Sequence, residues 1–137
     1  MLQRRLVYLG PEPAASGERS PEPLRYDGRP LEPDATIDLV RRRSPWNPAK
    51  RIERIVMGSN PTRADVLLEG EGLAAEHARL YLSTDDPDVN DLRAMQGVRL
   101  LVNGREVDVH EWCALKPGDE VQMGCWRFRF SVGDAAR

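Results

Sequence analysis

Between Arg51 and Val132 no apolar segment runs far before a glycine, proline or asparagine interrupts it, and within the segments apolar and polar residues alternate. A period of two is that of a half-buried strand, and the frequent breaks leave no room for helices of ordinary length. His77 to Leu82 sets Ala78, Leu80 and Leu82 against Arg79 and Tyr81. Near the C-terminus Trp126, Phe128 and Phe130 face one way, and Arg127, Arg129 and Ser131 the other. Further strands are expected over Thr36 to Arg42, Arg51 to Met57, Ala64 to Leu68, Val98 to Val102, Arg105 to Val109 and Glu120 to Met123. Asn103-Gly104 predicts a tight hairpin, and Lys116-Pro117-Gly118-Asp119 predicts a turn. The first two strands are expected to form a hairpin around Pro45 and Pro48, and Asp91 to Gln96 is the one stretch that reads as a helical turn. Many short strands joined by such turns predict an all-β fold, a two-sheet β-sandwich.

The prolines divide the chain. Eight of the eleven lie in the first 48 of 137 residues, and Pro-Glu-Pro occurs twice, at 11–13 and 21–23. Residues 1–34 therefore read as a Pro-rich N-terminal arm, partly ordered, with residues 35–137 as the sandwich domain. Leu6, Tyr8, Leu24, Tyr26 and Leu31 are spaced to lie on a neighbour, and Asp27-Gly28 predicts a short hairpin.

Charge and rare residues narrow the function. Twenty Lys and Arg against twenty-two Asp and Glu give a net charge of −2, which argues against a nucleic-acid or acidic-membrane binder. No apolar run is long enough to span a bilayer, and Leu6 to Leu9 is too short for a secretory core. Cys113 and Cys125 are expected as free thiols in a reducing, cytoplasmic compartment. Neither His77 nor His110 has a second ligand at metal-binding spacing. Asp86 to Asp91 opens like a calcium loop but has Asp91 where that loop needs glycine and Gly97 where it needs glutamate. No nucleophile motif or phosphate-cradling loop occurs, so the expectation is a protein without metal, cofactor or catalytic residues.

Six short segments in order resemble the forkhead-associated (FHA) domain. They are Ile55-Val56-Met57-Gly58, Ala64 to Leu68, Leu73 to Leu80, Val102 to Val107, Leu115 to Gly124 and Phe128-Arg129-Phe130. With Thr36 to Arg42 as a first strand, the resemblance covers residues 36–132. It implies a β-sandwich that reads phosphothreonine peptides, with His77 as a structural brace for the binding loops. The departures fall on the family's contact positions. Ser59 stands where the family has an arginine, Ala74 and Ala75 replace its Ser-Arg pair, and Val98 replaces an asparagine that holds the peptide backbone. Asn103 matches the hairpin turn. Arg63 and Arg99 are the cations nearest this edge in sequence.

Between Asp65 and Asp91 eight acids face one cation, Arg79. In the family fold much of that charge is expected beside the ligand loops, where it repels a phosphate. Arg41, Arg42 and Arg43 form the one concentrated basic segment, expected as a hairpin patch for an acidic partner or for the acidic loops of a second copy. The expected function is a non-catalytic, phosphorylation-independent protein–protein interaction module, an adaptor or subunit of a larger bacterial complex. Two alternatives stay open. One is a phosphothreonine reader using Arg63, Arg99 or backbone N–H groups, and the other is a self-assembling structural subunit.

Overall fold

Alternation places apolar side chains on one face of each strand, and the fold buries those faces against each other in two sheets. The computed structural model describes residues 2–13, 22–42 and 51–134. All regular structure among them is strand: β1 (Leu2–Pro11), β2 (Arg25–Tyr26), β3 (Arg29–Pro30), β4 (Thr36–Asp38), β5 (Ile52–Gly58), β6 (Val66–Glu69), β7 (Ala78–Ser83), β8 (Asn90–Ala94), β9 (Leu100–Val102), β10 (Arg105–Glu106), β11 (Cys113–Ala114), β12 (Glu120–Met123) and β13 (Trp126–Asp134). One sheet has the order β10-β9-β12-β13-β1-β4, and the other β11-β8-β7-β5-β6-β2-β3.

The core lies between them. Leu6, Tyr8, Trp126, Phe128 and Phe130 from the first sheet meet Ile55, Met57, Leu80 and Leu92 from the second, all almost fully buried. Burying each such side chain contributes about 1.5–3 kcal/mol. The Tyr8 and Phe128 rings lie 5.4 Å apart in a tilted arrangement. Two hairpins have the turn chemistry expected of them. Asp27 and Gly28 have φ of 50° and 81°, and Asn103 and Gly104 have 52° and 80°. These are the paired left-handed positions that a two-residue turn requires.

Three expectations are corrected. The boundary at residue 34 does not separate an arm from the sandwich, because β1 pairs with β13 along most of its length and with β4 on its other side. Pro11 and Pro13 end this strand without excluding it from the sheet. Second, Thr36 to Arg42 and Arg51 to Met57 do not form a hairpin. β4 pairs with β1 and ends at Asp38, whereas β5 pairs with β6 and β7 in the other sheet. Alternation identifies a strand but carries no information about its neighbour. The intervening Pro45 and Pro48 lie outside the described residues. Third, Asp91 to Gln96 is not helical. Asn90–Ala94 is a strand between β7 and β11, with Asn90, Leu92 and Ala94 buried in alternation.

A short parallel pair, Met57↔Val66 and Gly58↔Leu67, joins β5 to β6. Asp65 fixes it. The carboxylate is buried at 1% exposure and accepts the Val56 N–H at 2.8 Å and the Arg42 N–H at 2.6 Å.

Candidate functional site

Register places three loops at one end of the seven-stranded sheet. Met57 pairs with Ala78 and Ala78 with Ala94, so the chain leaves β5 at residue 59, enters β7 at His77 and leaves β8 at Met95 on the same side. The loops 59–65, 70–77 and 95–99 therefore converge, bringing together Ser59, Arg63, Ala74, Ala75, His77, Val98 and Arg99.

Backbone hydrogen bonds weld the loops. The Ser59 and Asn60 N–H groups donate to the Ala74 and Ala75 carbonyls at 3.0 and 3.1 Å. Gly58 permits this approach, since a Cβ there would lie 2.1 Å from the Ala75 carbonyl oxygen. His77, with no exposed surface, links the rest. Its Nδ1 accepts the Ala74 N–H at 3.2 Å, so the proton sits on Nε2, which donates to the Arg99 carbonyl at 2.7 Å. Its carbonyl in turn accepts the Met95 N–H at 3.2 Å. Burial lowers the imidazole pKa, opposed by the bond to Arg99.

Two contacts that sequence reasoning missed extend this frame. Gly70 lies against the Trp126 indole, where a Cβ would come within 2.8 Å of the ring, and Trp126 Nε1 donates to the Glu71 carbonyl at 2.9 Å. Gly124 N–H donates to the same Arg99 carbonyl that His77 holds, at 2.9 Å. The glycines were visible in sequence only as strand breakers.

The side chains on this edge offer little to an anion. Ala75 is exposed, Ser59 and Ala74 are half-buried, and Val98 packs against the core. Arg63 faces Glu76 at 3.5 Å, and Glu76 also holds Arg79 at 3.0 Å. Arg99 pairs with Glu12 at 3.0 Å, and that hydrogen bond holds the Glu12 carboxyl below its ordinary range. Glu12 reaches the site from the chain just beyond β1, a partner that its distance in sequence conceals.

Two charge expectations change. The acids between Asp65 and Asp91 are split between the ends of the sheet. Asp85, Asp86 and Asp88 follow Ser83, which pairs with Ile52 at the end opposite the loops. There Arg51 holds Asp85 at 2.7 Å, and buried Arg4 donates to Asn90 Oδ1 at 2.7 Å and the Asp86 carbonyl at 2.8 Å. The basic segment is not presented on a strand pair either. Arg41 and Arg42 follow β4 in irregular chain, where the Arg42 guanidinium pairs with Asp27 at 2.9 Å, and Arg43 lies outside the described residues.

Among the described residues no group of His, Cys, Asp and Glu could hold a metal ion, and no helix is long and apolar enough to cross a membrane. What the geometry defines is a β-sandwich that presents a welded loop edge, the architecture of a peptide- or protein-binding module. The FHA domain model matches residues 55–124, and the chain belongs to the FHA domain family.

Solved structures share the fold at low identity. The FHA domain of the CT664 protein from Chlamydia trachomatis superposes with a TM-score of 0.61 at 16% identity, covering 98% of this chain and 99% of that one. The cytoplasmic domain of PscD, a type III secretion sorting-platform protein of P. aeruginosa, gives 0.57 at 18% identity over 98% and 82%. The N-terminal FHA domain of S. cerevisiae Rad53p, in complex with a phosphothreonine peptide, gives 0.54 at 16% over 81% and 92%. No curated protein sequence matches the chain. FHA domains are protein–protein interaction modules, generally non-catalytic and often specific for phosphothreonine.

Proposed function

We propose that this chain is an FHA-family interaction module that binds its partner without reading phosphothreonine, as a non-catalytic adaptor or assembly subunit. The observation that carries this reading is the use already made of three backbone donors and both arginines near the expected phosphate position. The Ser59 and Asn60 N–H groups are spent on Ala74 and Ala75, the Ala74 N–H on His77, Arg63 faces Glu76, and Arg99 faces Glu12. A phosphate carries about −1.5 to −2 charges and needs several cations or positioned donors in a desolvated site. Here it would first have to displace two carboxylates. The likeness in fold to a sorting-platform domain supports an assembly role in a bacterial complex.

The second reading, a phosphothreonine module with unusual contacts, is favoured by the exposure of the Arg63 side chain, 70%. Calorimetry with a phosphothreonine peptide library and its dephosphorylated counterpart separates the two. No phosphate-dependent heat is expected, and micromolar binding that disappears on dephosphorylation would reverse the assignment.

A further inference from the structure

The outer face of the seven-stranded sheet carries a cluster unlike anything on the loop edge. Cross-strand register places Val56, Arg79 and Arg93 in one row and Arg54, Tyr81 and Asp91 in the next. The five polar and aromatic members alternate with the buried Ile55, Leu80 and Leu92, so their side chains stand on the outward face, where Val56 is itself covered. Trp112, just before β11, lies over them. The Arg93 guanidinium sits 4.4 Å from its ring centroid, and Tyr81 meets it edge-on at 5.0 Å. Trp112 nevertheless remains 53% exposed.

Folding alone does not account for this arrangement. Arg79 and Arg93 are directly opposed across two strands, a like-charge pair that disfavours the sheet. Within the cluster, Glu76 and Asp91 are set against three arginines. The buried Nε atoms of Arg54 and Arg79 have no acceptor among the described residues. Beside the cluster lies a groove of about 320 Å³, lined by Arg79, Tyr81, Arg93, Met95, Gln96 and His110. Tryptophan, tyrosine and arginine together are the residues that dominate protein interfaces, because each buries a large area around a polar or charged end.

We propose that this face is the partner-binding surface, and that it takes an acidic, unphosphorylated segment of another protein. Carboxylates of the segment pair with Arg54 and Arg93, beside the Arg79 that Glu76 already holds, while an apolar side chain covers Trp112 and Tyr81. The inference rests on the interaction-module reading above, and it moves recognition from the loop edge to the sheet.

The test uses the full chain and a synthetic Glu-Glu-Leu-Glu-Glu peptide, followed by two-dimensional NMR. Shifts are expected at Tyr81, Arg93 and the Trp112 indole, fading with added salt. Trp112→Ala and Arg93→Glu each weaken binding by about tenfold or more, whereas Arg29→Glu on the β2–β3 hairpin leaves it unchanged. Both test positions face outward, and an unchanged amide spectrum elsewhere verifies the fold of each variant. An absence of shifts, or shifts confined to the loops 59–65 and 70–77, overturns the proposal. Sedimentation of the free chain gives a separate outcome: a dimer abolished by Trp112→Ala would assign the face to a second copy and overturn the acidic-segment assignment. A phosphothreonine peptide that moves only loop resonances would instead refute phosphorylation independence, leaving the sheet-face result to stand or fall by itself.

Discussion

His77 Nε2 donates to the Arg99 carbonyl across 2.7 Å, and that one bond joins the loop entering β7 to the loop leaving β8. With Nδ1 committed to the Ala74 N–H, the ring is held in one tautomer and in the neutral state. A second proton would have to occupy Nδ1 and so break the bond to Ala74.

The first prediction concerns pH. Burial lowers the folded-state pKa of His77, so the unfolded chain takes up its proton first, near the ordinary histidine value of about 6.5. The contribution of neutral His77 is fully present above that value and is lost as pH falls from it towards the depressed folded pKa. Denaturant unfolding at pH 7.5, 6.5 and 5.5 is expected to show this loss, on about the scale of those values, and His77→Gln is expected to flatten it. His77→Ala at neutral pH is expected to cost about 2–4 kcal/mol, from the cavity and the two backbone groups left without partners.

Gly58 tests the loop weld. Its Cβ would meet the Ala75 carbonyl at 2.1 Å, a backbone atom that cannot rotate away. Gly58→Ala is expected to destabilise by about 2 kcal/mol or more, read as a lowered denaturation midpoint. Gly104→Ala has open space, and its cost is the left-handed backbone alone, about 1–2 kcal/mol.

Asp65 is predicted to be a stability residue, despite lying in the acidic stretch. Asp65→Ala removes acceptors from the Val56 and Arg42 N–H groups, and a loss of about 2–4 kcal/mol is expected on thermal or chemical unfolding. Asp65→Asn keeps one oxygen and is expected to lose less.

The arm boundary is tested by truncation. A chain beginning at residue 35 lacks β1, leaving β13 and β4 without their shared neighbour and exposing Phe128 to solvent beside the missing Tyr8. It is expected to be unfolded by circular dichroism and amide dispersion. A cooperative unfolding transition in that fragment would restore the division at residue 34.

If the loop scaffold is intact and only its contact side chains are missing, phosphate recognition can be installed. Ser59→Arg with Ala74→Ser and Ala75→Arg adds two cations and moves a hydroxyl from position 59 to 74, at the positions that the resemblance matches to the family's contacts. Charge-assisted hydrogen bonds contribute about 1.5–3 kcal/mol each, so a gain of about tenfold or more in phosphothreonine-peptide affinity is expected by calorimetry.

Most strands are legible because their evidence is local. Alternation in His77 to Leu82 and Trp126 to Val132 marks an inward and an outward face, and Asn103-Gly104 supplies two residues that tolerate positive φ. The ordered short segments from Ile55 to Phe130 were enough to suggest the FHA family. Apart from Asp91 to Gln96, where a short alternating strand reads as a helical turn, the errors share one cause, since each concerns a partner distant in sequence. The β1 strand was obscured by nearby prolines, and its place between β13 and β4 depends on residues more than a hundred positions away and on others about thirty away. The acidic stretch reads as one patch, but a six-residue strand carries the chain from one end of the sheet to the other within it.

The sequence by itself determined an all-β chain and the turns of its tight hairpins, because each depends on residue type at a fixed spacing. Tertiary structure alone decided that Glu12 would reach Arg99, that Asp65 would be buried beneath the Val56 and Arg42 amides, and that Arg54, Arg79, Arg93, Tyr81 and Trp112 would share one face. Those relationships depend on sheet register and strand order, which bring together side chains that no local pattern connects.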